Sequence, residues 1–84
     1  MKIYFTTQAE EDIEYWKRIN PKMNAKILAL IEDIMANPYS GIGKPEALRF
    51  KQTGYWSRRI NHEHRLVYKV HGDKLYIAQC RYHY

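Results

Sequence analysis

A single cysteine, Cys80, in 84 residues excludes an internal disulfide framework and suits a reducing compartment. No apolar run approaches the roughly 20 residues a membrane-crossing helix needs. Met1-Lys2-Ile3-Tyr4-Phe5 passes at once into polar and acidic residues, unlike a signal peptide, so a cytoplasmic protein is expected. Glycine (4) and proline (3) are sparse, and the chain has no linker, repeat or low-complexity segment. One cysteine and four scattered histidines make no zinc-type ligand set, and the glycines lack phosphate-loop spacing, so neither metal nor cofactor is expected. Acidic residues are scarce in the second half. Residues 1–43 carry five Lys/Arg against six Asp/Glu, and residues 44–84 carry nine against three. A basic half on a near-neutral half is the footprint of a polyanion partner, unless it is simply a soluble basic surface. Because the cations interleave with strand-like sequence rather than lining an amphipathic helix, a membrane is the poorer partner.

What is present makes one α+β domain over residues 1–84. A chain this short buries only roughly 60–65% of its unfolded surface, so its core has to be well made. Lys2–Thr6 predicts a first strand. Thr7-Gln-Ala-Glu10 has capping-box spacing, with Thr7 as cap. Ala9, Ile13 and Trp16 then give one apolar face to a helix over 8–18. Asn20-Pro21 stops it and starts another, whose stripe is Met23, Ile27, Leu30, Ile31 and Ile34, ending at Asn37-Pro38. The short joint predicts a helical hairpin. Residues 39–47 are a loop shaped by Gly41, Gly43 and Pro45, Leu48–Lys51 is a candidate strand, and a turn follows around 52–54. Three antiparallel strands are expected over 55–61, 64–70 and 74–82, with turns at His62-Glu63 and His71-Gly72-Asp73. The hairpin then packs on one face of a small, mainly antiparallel twisted sheet.

Register decides which cations share a face. A three-residue turn at 71–73 pairs Val70 with Lys74 and sends Tyr76, Ala78, Cys80 and Tyr82 to the core; a two-residue turn does the reverse. With the longer turn, Arg81 and His83 lie beside Arg65 on the open face; the turn at 62–63 decides in the same way between Arg59 and Arg58, and Arg59 is expected to complete the set. Cys80 reads as a small core residue rather than a nucleophile, and His62, His64 and His71 as solvated turn residues. Trp56 belongs in the core, while Tyr55 is free to stack on bases. Glu46 is one carboxylate among Lys44, Arg49 and Lys51. It is either a salt-bridge partner or a general base, and the second role asks for burial as well. One base, one acid and several arginines are what cleavage of RNA by its own 2′-hydroxyl requires.

The chain resembles the YoeB-type toxins of the RelE/ParE superfamily. The resemblance runs end to end and is carried by Gly41-Ile-Gly-Lys-Pro-Glu-Ala-Leu48, Gly54-Tyr-Trp-Ser-Arg-Arg-Ile60, Glu63-His-Arg-Leu-Val-Tyr68 and Cys80-Arg-Tyr-His-Tyr84. It implies a RelE-like fold and a ribosome-dependent mRNA endonuclease that cuts in the A site of the 70S ribosome. It also implies Glu46 as general base, His83 as general acid, Arg65 for the transition state, and Tyr84 as the residue that places the substrate. Arg59, Lys44, Arg49, Lys51 and Arg81 are the expected RNA contacts. Position 49 is usually lysine in such toxins, and arginine here keeps the charge with a different donor geometry. The implied partners are an acidic YefM/Phd-type antitoxin and a second copy of the chain, with operator DNA reached only through the antitoxin. A ParE-like gyrase poison, or a basic module that blocks the ribosome without cutting, are the competing readings. Glutamate together with the C-terminal histidine argues against the gyrase poison, and substitution of His83 separates catalysis from simple binding.

Overall fold

The computed structural model describes residues 1–49 and 54–82 of the chain. In order they form β1 (Lys2–Phe5), α1 (Thr7–Ile19), α2 (Pro21–Ala36), β2 (Glu46–Ala47), β3 (Trp56–Arg59), β4 (Arg65–His71) and β5 (Lys74–Gln79). The helical hairpin covers one face of a five-stranded sheet ordered β1-β5-β4-β3-β2, in which β1 runs parallel to β5 and the other pairs are antiparallel. This is the expected α+β architecture. Every member of the α2 stripe is buried, and Leu66, Tyr68, Leu75 and Ile77 meet it from the sheet.

The α1 cap is Thr6, not Thr7. The Thr6 hydroxyl accepts the Ala9 amide at 3.1 Å and donates to the Ala78 carbonyl at 2.6 Å, so one side chain starts the helix and ties it to β5. Asn20 caps α2 with Pro21 in its first turn, as the dipeptide suggested, though its side chain makes no capping bond. A strand forms at Glu46–Ala47, ahead of the one expected over Leu48–Lys51, of which only Leu48 and Arg49 are described. The Arg59 amide donates to the Gly43 carbonyl at 2.7 Å, and that bond sets the register in which Glu46 faces Ser57. Positions 50–53, and with them Lys51 and the expected turn's first residues, lie outside the described residues, as do His83 and Tyr84.

The β4–β5 turn is also corrected. Val70 faces Leu75 and His71 faces Lys74, so the turn has two residues with Gly72 first, at φ 63°. Leu75 and Ile77 therefore point to the core, and Tyr76 to the open face. A bulge then shifts the register between Val67 and Tyr68, which face Gln79 and Ile77. The extra residue flips the alternation and returns Cys80 to the core. β5 stops at Gln79 rather than Tyr82 for a clear reason. The Cys80 amide donates to Asp12 Oδ2 and its carbonyl accepts from Trp16 Nε1, each at 2.9 Å, so helix side chains take the groups a ladder would use.

Candidate functional site

The open face of β2–β4 assembles three of the expected residues. Glu46 faces Ser57, and two residues along β3 Arg59 faces Arg65. Diagonal neighbours on a sheet are roughly 7–8 Å apart, within reach of long side chains. Lys44 precedes β2 at φ 50°, a left-handed conformation uncommon outside glycine, and lines a cleft of about 360 Å³ with Arg59, Ile42 and His62. Glu46, Arg59 and Lys44 are exposed. The pairing of Arg59, rather than Arg58, with Arg65 is as expected.

Arg65 is only 9% exposed. Its Nη1 donates to the carbonyls of Asn61 (2.9 Å), His62 and His64 (both 3.2 Å), so the turn between β3 and β4 holds the guanidinium in place. A cation fixed in advance loses little in reorganisation when negative charge develops beside it. The turn is shaped in its own right by Asn61, whose Oδ1 accepts the amides of Glu63 and His64.

Two expected cations fall elsewhere. Arg81 does not join Arg65: its guanidinium carbon lies 3.5 Å from the centre of the Tyr15 ring on α1 and 4.5 Å from that of Tyr82. The early end of β5 releases Arg81 toward the helix. Arg49 is exposed beyond β2 and forms no ion pair with Glu46 among the described residues.

Three devices that sequence patterning missed hold this face. Arg58, fully buried, donates to the Asp33 carboxylate and to the carbonyls of Asn37 (2.5 Å), Ser40 (2.8 Å) and Ile42 (3.1 Å). The Tyr68 hydroxyl donates to the Pro38 carbonyl and stands 3.4 Å from Arg58 Nε. Together they clamp the loop that leads into Glu46. Asp33 also accepts the Ile42 amide, and the Arg58 hydrogen bond holds its carboxyl below the usual carboxylate value. Burial pushes the Tyr68 phenol up. The loop passes so close that a Cβ at Gly41 would meet Asp33 Oδ2 at 2.0 Å, and one at Gly43 would meet Leu30 Cδ2 at 2.9 Å; both glycines have positive φ.

The second device is Asp12, 2% exposed, which with Trp16 fixes Cys80. The third is His64. Half-buried rather than fully solvated, its ring packs edge-on to Trp16 and Nδ1 accepts the Tyr82 amide at 2.8 Å, while the Arg65 amide donates to the Tyr82 carbonyl. Position 82 is thereby fastened beside Arg65. Burial, and then the Asp12 charge, push the Cys80 thiol up to about 12, so it is no nucleophile. Among the described residues no three of His, Cys, Asp and Glu stand close enough to hold a metal ion, and no helix is long and apolar enough to cross a membrane.

A helical hairpin on this sheet, with a carboxylate and arginines on its free face, defines the RelE-like class of small α+β toxins. The chain belongs to the YoeB-like toxins of bacterial type II toxin–antitoxin systems, whose family model matches residues 5–84. It is 49% identical to the toxin YoeB of Streptomyces coelicolor, over all of both chains. The solved YoeB/ParE toxin of Agrobacterium tumefaciens superposes with a TM-score of 0.97, at 45% identity over the whole of each chain. YoeB of Staphylococcus aureus, solved as a dimer, gives 0.94 at 50% identity; in complex with YefM it gives 0.92 at 52%. Both comparisons cover all of this chain and 98% of the other.

Proposed function

We propose that residues 1–84 act as one domain, a cytoplasmic endoribonuclease that cuts mRNA in the ribosomal A site. The observation that carries the proposal is the placing of Glu46, Arg59 and Arg65 together on the helix-free face. Glu46 removes the proton from a ribose 2′-hydroxyl, and the oxygen attacks the adjacent phosphorus. Arg65, braced by its turn, neutralises the charge gathered on the phosphorane oxygens, with Arg59 beside it. As the bond from phosphorus to the 5′-oxygen breaks, His83 protonates that oxygen, leaving a 2′,3′-cyclic phosphate. Tyr84 places the substrate; Lys44, Arg49 and Lys51 hold the strand. DNA lacks the nucleophile, so specificity for RNA is part of the chemistry. Glu46 is exposed in the free chain. The water exclusion a base of this kind needs therefore comes from the ribosome and strand that close over it, which accounts for ribosome dependence.

An acidic YefM-type antitoxin is the partner that this basic half calls for, and a homodimer is the assembly; both follow from the S. aureus relatives. Operator DNA is reached only through the antitoxin. Ribosomes stalled on a defined mRNA test the reading, with cleavage mapped by primer extension and the 3′ end-group identified. An A-site cut with a cyclic or 3′ phosphate, absent with His83→Ala, supports it. Intact mRNA with translation still blocked replaces the nuclease by a non-catalytic binder.

A further inference from the structure

The open face has a second cationic end. Lys2, Lys74 and His71 stand opposite one another on β1, β5 and β4. The next row holds Tyr4, Tyr76 and Lys69 on the same strands, and Lys69 Nζ lies 5.4 Å from the centre of the Tyr55 ring. Tyr4 and Tyr76 stack, with centres 5.4 Å apart and planes inclined by 22°. Thr6, Tyr55, Lys69, His71, Tyr76 and Ala78 line a cleft of about 360 Å³, at the low end of the range for small-ligand sites.

Like charges directly opposite one another across strands destabilise a sheet. Among the described residues neither Lys2 nor Lys74 forms an ion pair that would relieve this row. The counter-charge that suits it comes from outside. Tyrosine rings flanking a lysine, next to further cations, are what single-stranded nucleic acid recognition uses: bases stack and the groove tracks phosphates. A second copy of this chain, at +5, brings like charge to like charge. An acidic peptide supplies the charge but offers the Tyr55 ring no planar partner.

We propose that this cleft is a second RNA subsite, separate from the Glu46 site. It stacks an unpaired base against Tyr76 and Tyr55 and holds phosphate on Lys69 and Lys74. Position 69 is four residues from Arg65 along β4, about 13 Å, so one strand can occupy both ends of the face. The proposal rests on the RNA reading above. Messenger and ribosomal RNA share the chemistry it recognises.

The test is fluorescence anisotropy with an oligoribonucleotide carrying one 2′-deoxyribose at the cleavage position, which binds and stays uncut. Tyr76→Ala and Tyr55→Ala, checked for native circular dichroism, are each expected to weaken binding by roughly 5- to 150-fold. Tyr76→Phe keeps the ring and should keep the affinity. Lys69→Gln and Lys74→Gln should each reduce the salt slope by about 0.7. Loss of binding to empty 70S ribosomes alone would assign the subsite to ribosomal RNA. Affinity of Tyr76→Ala unchanged for both RNAs overturns the proposal, and a defect confined to an acidic antitoxin gives the surface to that partner instead. Because the probe cannot be cut, Tyr76-dependent binding by a protein that cleaves nothing would sink the nuclease and leave the subsite standing.

Discussion

Arg58 and Arg59 are adjacent, chemically identical and used in opposite ways. Arg58 points to the helices, is fully buried, and spends its donors on Asp33 and three loop carbonyls. Arg59 points to the open face, is exposed, and faces Arg65 across the ladder. The alternation of a strand alone separates them. One arginine builds the loop that carries Glu46; the other lies free on the face that Glu46 shares. Basic residues in such a half are thus not all footprint. Part of the charge that suggests a polyanion is structural.

The sharpest way to break this comparison is to remove each arginine in turn. Arg58→Ala strands three loop carbonyls and the Asp33 carboxylate, and removal of one partner from a buried, hydrogen-bonded charge typically costs about 3–5 kcal/mol. In a chain this small that is a fall of more than about 10 °C in melting temperature, read by circular dichroism, with activity lost alongside the fold. Arg59→Ala should leave melting within about 0.5 kcal/mol of the parent and weaken cleavage without abolishing it. Equal destabilisation by the two substitutions would dissolve the distinction.

Glu46→Gln isolates the chemistry from the clamp. It keeps size and polarity on an exposed edge strand, so stability should hold while ribosomal cleavage falls by roughly 10²–10⁴. Single-turnover cleavage on stalled ribosomes measures it, and retained cleavage would remove Glu46 as the base.

The comparison also marks what could be read in advance. Both helices followed from apolar spacing, because one-sided burial prints its period on the sequence. Arg59 beside Arg65 followed from strand alternation. The β4–β5 register did not: the bulge between Val67 and Tyr68 depends on where Asp12 and Trp16, more than sixty residues earlier in the chain, take the Cys80 backbone. No local pattern encodes that pairing. The same contacts moved Arg81 to Tyr15 and gave His64 a structural part. The clamp made by Arg58 was not legible because a fully buried arginine and a phosphate-binding one look alike until the carbonyls around them are placed. An Asp33 at the end of α2, ahead of a glycine loop, was the available hint.

Acid sharpens the clamp half of the comparison. The Asp33 carboxyl is held below its ordinary value of 3.8 by Arg58, so the folded state binds its proton less readily than the unfolded chain. Its contribution is complete above about pH 4 and is lost as pH falls from there toward the depressed folded value. About a quarter of the side chain remains in water, which tempers the pair. Urea midpoints between pH 5 and 2.5 should fall less steeply in Asp33→Asn, from a lower starting value, than in the parent. Parallel curves would mean that another carboxyl controls the acid limb.

The smallest effect belongs to the core side of β5. The Cys80 thiol is raised from 9.0 to about 12, chiefly by burial. At pH 8 the folded protein should therefore resist iodoacetamide, while protein unfolded in guanidinium is labelled at the rate of a free thiol, as mass spectrometry would show. The sign for stability is the reverse of the Asp33 case. Between pH 9 and 12 the folded state holds a proton that the unfolded chain releases, so stability declines as pH rises through that window. Tyr68, whose phenol is also raised, adds a decline in the same direction from about pH 10. Cys80→Ala should remove only the thiol share and leave ribosomal cleavage unchanged. A loss of cleavage without a loss of fold would show that the core side of β5 reaches further into the site than its Asp12 and Trp16 anchors imply.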